Sequence, residues 1–327
     1  MSQKSKRALV SGAAGFVGSN LVDHLLEAGW HVSAIDNFST GQKQFLAEAM
    51  KHENFKLTEG DITNKQTTDK VVEGCDWVFH FAANADVRFG LEHPYKDLEQ
   101  NTIATLNLLE SMRKHSVKNI VFSSTSAMYG EAEVIPTPEN CPLPIQTSLY
   151  GASKLAAEGL ISSYAEGFGF NACVFRFASV VGKRYTHGHV FDFYKKLKKN
   201  PNELEILGDG TQKKSYLDVK DCIRGIMTAC LEGKSKYQKT NYGVFNLGSA
   251  SYCQVADSAK WISNEMGLDP KFNYTGGRQG WIGDNPFIFL EIKRMQSLGW
   301  DTTMNIEQAI RGTVRWIRDN EWILEKR

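Results

Sequence analysis

Neither charge sign dominates this chain. It carries 38 basic and 37 acidic residues, a net charge of +1. A nucleic-acid or membrane-surface binder carries a basic excess, so neither partner is expected. No apolar run approaches the ~18 residues of a membrane span. The basic start MSQKSKR runs into RALVSGAAG with no apolar stretch leading to a cleavage site, so no secretory leader is read. The six cysteines (Cys75, Cys141, Cys173, Cys222, Cys230 and Cys253) contain no C-x-x-C pair. Reduced thiols in a cytoplasmic setting are expected. His187 and His189 in THGH have no third ligand cluster beside them, so no metal is expected. Repeats and low-complexity tracts are absent.

Apolar residues make up 42% and charged residues 23% of the 327 positions, an ordinary globular composition with enough chain for a substantial core. In the first half, short apolar runs (RALVSG, HVSAID, NFKLTEGD, DWVFHFAA, NIVFSS, ACVFRF) alternate with helical spacing. FVGSNLVDHLLEAG, Tyr95–Arg113 and Leu149–Ala165 are the clearest helices. Strand–helix alternation predicts an α/β fold with a doubly wound parallel sheet. After Arg176 the rhythm loosens into polar Gly-containing loops, a basic amphipathic segment FDFYKKLKK, SYLDV with a helix to Leu231, and a closing helix Ile306–Trp322. A smaller C-terminal α/β domain is expected there.

GAAGFVG sets Gly12, Gly15 and Gly18 between the first strand and the first helix. Such glycines allow a tight turn, close approach of backbone to a pyrophosphate and close helix packing, with the helix N-terminus facing the anion. Asp36 ends the second strand. A carboxylate there bonds ribose hydroxyls and repels a 2′-phosphate, which favours NAD over NADP. The plainer reading of Asp36 is a turn-forming residue before Asn37.

LYGASK puts Tyr150 and Lys154 one helical turn apart, just after the hydroxyl run Ser123 to Ser126 in FSSTSAMYG. Oxidising an alcohol needs a base for its proton while hydride leaves carbon. A free tyrosine, with pKa about 10, stays protonated near neutrality and so acts inefficiently as the base. A unit charge at ~4 Å and effective ε ~20 is worth about 4 kcal/mol, roughly three pKa units, so a lysine ammonium is expected to favour the phenolate.

GAAGFVG, Asp36-Asn37 with STG after it, Asp61-Ile62, HFAA, FSSTSAMYG and YGASK stand in the order and spacing of the extended short-chain dehydrogenase/reductase family. The chain resembles its nucleotide-sugar epimerases of the UDP-glucose 4-epimerase type along essentially its whole length. The resemblance implies a Rossmann domain for NAD over residues 1–178, with a returning segment at about 215–248. Residues 179–214 and 249–327 would bind the nucleotide sugar. It implies that Tyr150 is the acid/base, that Lys154 lowers its pKa and holds the nicotinamide ribose, and that Thr125 bonds the sugar 4-oxygen. Phe16, Val17, Asn37, Ser39, Thr40 and Gly41 would join Gly12, Gly15 and Asp36 along the cofactor. Asp61 and Ile62 would flank adenine, and Phe81, Ala82, Ala83, Asn101 and Ser123 would complete that side.

For the substrate, the resemblance implies Ser179, where many members have asparagine, Lys214, where many have arginine, and Arg278 in GGRQGWIGD. Loop capping for Ser179 and a solvated charge for Lys214 are the plainer readings. ANADVR is similar to UDP-glucuronate 4-epimerases, in which case Arg88 or Arg184 meets a carboxylate; a surface or phosphate-side role stays open for both. Related 4,6-dehydratases carry Thr-Asp-Glu where this chain has Thr125-Ser126-Ala127, so dehydration is disfavoured. The expected activity is C4 epimerisation, first of UDP-glucose/UDP-galactose and second of UDP-glucuronate. A net oxidoreductase and a non-catalytic binding module follow as alternatives. The family's usual homodimer, a four-helix bundle, would here use Tyr95–Arg113 and Leu149–Ala165.

Overall fold

The computed structural model describes residues 6–84, 89–143, 145–232, 241–278 and 285–326. By its contacts the chain divides into two compact units. One holds Met1–Met128, Ser148–Arg176 and Ile226–Phe245; the other holds Tyr129–Thr147, Phe177–Gly225 and Asn246–Arg327.

The first unit follows the expected alternation: β1 (Arg7–Ser11), α1 (Phe16–Glu27), β2 (His31–Asp36), β3 (Phe55–Glu59), α2 (Lys65–Val72) and β4 (Trp77–His80). Then come the short α3 (Phe89–Glu92) and α4 (Pro94–Asp97), α5 (Ala104–Lys114), β5 (Asn119–Thr125), α6 (Leu149–Phe168) and β6 (Asn171–Phe177). The seven-stranded parallel sheet has the order Tyr242–Leu247, β6, β5, β4, β1, β2, β3. A parallel sheet is covered on both faces, so its strands are apolar without alternation. WVFH of β4 is accordingly buried at every position. Leu9, Ile35, Val78, Ile120 and Phe122 from the strands pack with Leu108 and Met112 of α5 and Ala157 and Ile161 of α6. Each of these fully buried side chains larger than alanine contributes about 1.5–3 kcal/mol. The winding direction reverses between β1 and β4, and sheets of this kind hold ligands at the carboxyl ends of those strands.

The helical pattern over Tyr95–Arg113 is not one regular helix. α4 runs into a π-helical stretch, Leu98–Ile103, before α5. Apolar spacing cannot register that widened turn. Its effect is local: it coincides with Asn101, whose side-chain amide bonds Ser153 Oγ at 2.9 Å.

The second unit contains β7 (Ser179–Val181), α7 (His189–Lys199), β8 (Glu203–Ile206), β9 (Lys213–Lys214) and β10 (Tyr216–Asp218). α8 (Val219–Glu232) leads back to the large sheet, whose strand Tyr242–Leu247 is β11. β12 (Cys253–Gln254), α9 (Val255–Glu265), β13 (Lys271–Tyr274), β14 (Phe287–Ile288), α10 (Lys293–Ser297) and α11 (Ile306–Asp319) complete it. Its small sheets pair β10 with β7, β9 with both β12 and β14, and β13 with β8. α11 buries Ile306, Ala309, Ile310, Thr313, Val314 and Ile317, one helical stripe. Asn305 and Gln308 form a reciprocal capping box at its start, worth about 1 kcal/mol. The helix stops short of the expected Trp322 because Asn320 leaves helical backbone geometry and bonds Trp316 O at 2.9 Å.

Two boundaries differ from the expected ones. Residues 129–147 belong with the second unit, because Thr137 exchanges backbone bonds with Phe289 and Glu291 at 2.8 and 2.9 Å. Asn246 reinforces this, accepting from Tyr129 Oη at 2.9 Å and donating to Glu139 at 3.0 Å. Residues 215–225 also group with the second unit, so the return to the first begins at Ile226. Among the described residues no helix is long and apolar enough to cross a membrane.

Candidate active site

The glycine turn after β1 is built on a close crossing. Gly12 sits at φ +69, and a Cβ there would lie 2.6 Å from Ala82 N, because the chain leaving β4 passes directly over the end of β1. α1 begins immediately behind; a Cβ on Gly18 would meet Gly12 O at 2.1 Å. Gly12, Gly15 and Val17 keep partial exposure while Ala13, Ala14 and Phe16 are buried. The turn therefore presents backbone, not side chains, at a helix N-terminus, which suits a pyrophosphate.

Asp36 is buried, and each carboxylate oxygen takes one backbone N–H: Ala14 to Oδ2 at 2.9 Å, Phe38 to Oδ1 at 2.8 Å. An ionised carboxylate offers about four acceptor sites, so capacity is left for ribose hydroxyls. Burial pushes the Asp36 carboxyl above the usual range, the two backbone bonds oppose this, and Asp61 adds to the rise. Gly41 lies against it; a Cβ there would be 2.7 Å from Asp36 Oδ1. Ser39 and Thr40 are exposed beside it. Asn37 donates to Asp61 Oδ2 at 2.7 Å, and Thr63 caps Asp61 Oδ1 through N and Oγ1, both at 2.8 Å. Burial alone would raise Asp61, but these bonds together with Gln100 hold it below the usual carboxylate range. Ile62 puts its side chain into the hydrophobic core, so only its backbone can face a ligand. These features fit a dinucleotide whose ribose hydroxyls reach Asp36.

His80 is a residue that sequence reading passed over. It is fully buried and bridges Ser11 Oγ at 2.8 Å and Thr105 Oγ1 at 2.9 Å. Burial and the Lys154 charge hold the imidazole at about 3, so it is neutral. Ser11 Oγ also accepts from Ala82 N at 3.3 Å, and Phe81 N donates to Ser11 O at 3.1 Å. The ends of β1 and β4 are thus tied to α5 through one histidine. Ser123 donates to His80 O at 3.1 Å, which ties the ends of β4 and β5 together. Ala83 follows, half-buried. Asn101 is 1% exposed; its amide engages Asn84, Asp97 and Ser153.

Thr125 ends β5, and Tyr150 opens α6 behind the N-cap Ser148, whose Oγ accepts from Gly151 N at 3.0 Å. The Thr125 and Tyr150 side chains share a hydrogen bond. Lys154, one turn further, is 1% exposed with Nζ 4.2 Å from the Phe122 ring centroid. Sequence reading expects this lysine to lower the phenol. In the chain alone burial prevails: it pushes Tyr150 up to about 12, with Thr125 opposing and Asp97 adding. Burial likewise pulls Lys154 down to about 7, against the Glu158 carboxylate.

The arrangement is a half-buried phenol bonded to a threonine, with a buried amine on the same helix face, in the same unit as a glycine-lined turn. Such a set can move a proton to and from an alcohol. The family model for "NAD dependent epimerase/dehydratase family" matches residues 8–248. The chain belongs to that family. The UDP-glucose 4-epimerase of Corynebacterium glutamicum is 34% identical over 90% of each chain. The UDP-glucuronate 4-epimerase of Thermodesulfobacterium geofontis is 30% identical over 95% of this chain and 96% of its own. A crystal structure of a UDP-galactose 4-epimerase superposes with a TM-score of 0.86 at 35% identity, covering 97% of this chain and 100% of the other. The protein is an enzyme of the NAD-dependent nucleotide-sugar epimerase/dehydratase type.

Four of the remaining expected residues of this epimerase/dehydratase lie in the second unit. Ser179 opens β7, half-buried. Arg184 is 6% exposed and adopts φ +72. Lys214 is buried on β9, its Nζ bonded to Asn285 O, and its charge adds to the burial that holds His189 at about 3. His189 itself bonds Ser258 Oγ at 2.9 Å and packs on Tyr216. Arg278 is largely exposed and pairs with Glu131 at 2.8 Å. Arg88 lies outside the described residues.

Proposed function

We propose that this enzyme inverts C4 of a UDP-sugar, interconverting UDP-glucose and UDP-galactose. The carrying observation is the Thr125–Tyr150 hydrogen bond with Lys154 one turn on, followed by a Ser126-Ala127 pair without carboxylates. Loss of water from the sugar needs an acid for the leaving hydroxyl and a base for the C5 proton; this pair offers neither. Tyr150 takes the 4-hydroxyl proton at Oη and returns it once the 4-keto sugar has turned its other face. Thr125 holds the 4-oxygen, and the Lys154 ammonium supports the phenolate. The Gly12–Gly15 turn, Asp36 and the backbone at Ala82 hold NAD, with Asp61 towards the adenine. NAD, when bound, supplies the hydride acceptor and the returning hydride.

The first unit is the NAD domain in this reading, and the second binds the nucleotide sugar through Ser179, Lys214 and Arg278. Lys214 acts there as a point charge, without the planar fork of an arginine. Arg184 favours UDP-glucuronate as the second reading, because a buried guanidinium suits a substrate carboxylate. A cytoplasmic setting belongs to the same proposal, in keeping with six free thiols.

The test is proton NMR of the purified protein incubated separately with UDP-galactose and UDP-glucuronate. UDP-galactose is expected to convert faster by about tenfold or more. Conversion of UDP-glucuronate alone transfers the assignment to the second reading. Accumulating NADH marks a net oxidoreductase, and bound NAD without turnover marks a binding module.

We also propose a homodimer in which two copies of α5 and α6 form a four-helix bundle. Tyr95, Leu98 and Leu106 along the α4–α5 stretch and Leu149 on α6 are exposed large apolar side chains. Leu106→Glu is expected to give a monomer by light scattering while the wild type is a dimer. A dimer that survives the change rules this face out.

A further inference from the structure

Tyr150, Lys154 and Glu158 follow one another at four-residue steps along α6 and so share a face. The third of them has no part in the chemistry described above, yet it is 3% exposed. A carboxylate that deeply placed needs a partner. Arg176 of β6, itself 6% exposed, supplies it side-on: Nε donates to Oε1 at 3.1 Å and a terminal nitrogen to Oε2 at 2.8 Å. The fork fixes both oxygens and leaves the negative end of the pair one turn from Lys154.

Among the described residues, the other groups around Lys154 supply no competing anion. His80, from β4, is neutral. Phe122, from β5, presents its ring face to Nζ. Asp97 acts on Tyr150, where it works against the phenolate. Burial pushes Tyr242 of β11 up, with Glu158 adding and Arg176 opposing, so it stays a neutral phenol. Among the described residues, Glu158 is the one group whose charge raises the affinity of the buried amine for its proton.

We propose that Glu158 is a positioning residue: its carboxylate, held by Arg176, is the counter-charge that keeps Lys154 an ammonium beside Tyr150. The inference rests on the assignment of Lys154 and Tyr150 made above. A purely structural ion pair would stabilise the packing of α6 on β6 without affecting proton equilibria at the other end of the helix face.

The experiment is an ultraviolet titration of the phenolate band in the holoenzyme, taken as the difference from Tyr150→Phe, beside a pH–rate profile with UDP-galactose. Glu158→Gln is expected to raise the Tyr150 midpoint and lower the basic limb of the rate profile, each by about one pH unit. Because Glu158→Gln takes the paired carboxylate from a buried guanidinium, Glu158→Gln/Arg176→Met is measured as well. It is expected to recover thermal stability while keeping a shift of the same sign. Unmoved midpoints in the folded double variant, with Lys154→Met moving the midpoint, overturn the inference and leave the active-site assignment intact. If Lys154→Met also leaves Tyr150 unmoved, the lysine assignment falls and the inference with it.

Discussion

Replacing Tyr150 by phenylalanine is expected to lower kcat by about a thousandfold or more while leaving the fold and the bound NAD in place. A thousandfold loss corresponds to about 4 kcal/mol of transition-state stabilisation. The change removes one oxygen and nothing else. Its partner, Thr125 Oγ1, still accepts from Ala127 N at 3.1 Å, so no buried acceptor is stranded. The lost hydrogen bond costs only about 1 kcal/mol of stability. Lys154 keeps its place over Phe122, since that contact does not involve the phenol. The measurements are turnover of UDP-galactose, melting temperature, and NAD released on denaturation. Activity within tenfold of the wild type would remove Tyr150 from the acid/base role. Lost activity together with lost NAD or a lowered melting temperature would show that the substitution acted on the scaffold.

The parts of this site that could be read from sequence are those whose partners are near in the chain or set by a repeating geometry. The strand–glycine–helix opening needs only neighbours, and Asp36 follows from the end of β2. Tyr150 and Lys154 follow from helical spacing. What escaped was set by packing at a distance. The same spacing that pairs Tyr150 with Lys154 also reaches Glu158, but Arg176 is joined to it only because β6 lies under α6. His80 reads as one more residue of an apolar strand until β1 and α5 close on it from either side. The π-helical turn leaves no mark in the apolar pattern. Ile62 shows a further limit: the motif marks the position, but only packing shows that its side chain joins the core and leaves its backbone to face a ligand. Residues 129–147 were misplaced because their partners, Asn246 and Phe289–Glu291, lie more than a hundred residues downstream.

Gly12→Ala is expected to destabilise the protein by about 3 kcal/mol and to abolish retention of NAD through purification. Two separate costs meet at this position. The backbone is left-handed, at φ +69, which costs an L side chain about 1–2 kcal/mol. The added methyl would also lie 2.6 Å from Ala82 N and 2.8 Å from Phe81 C, both backbone atoms that cannot swing aside. Relief requires the chain after β4 to move off β1. That movement lengthens the Ser11–Ala82 bond, already 3.3 Å, and disturbs the His80 bridge behind it. Gly29 separates the two costs. It has φ +76, yet a Cβ there would meet nothing within 4 Å. Gly29→Ala should therefore lose only the conformational part, about 1 kcal/mol, and keep its NAD. Urea denaturation and the NAD content of both variants make the comparison. Equal losses at the two positions would mean that φ alone demands glycine at position 12. A larger loss at Gly12, with NAD gone, ties the glycine to the close crossing of β1 and β4, and that crossing to the cofactor.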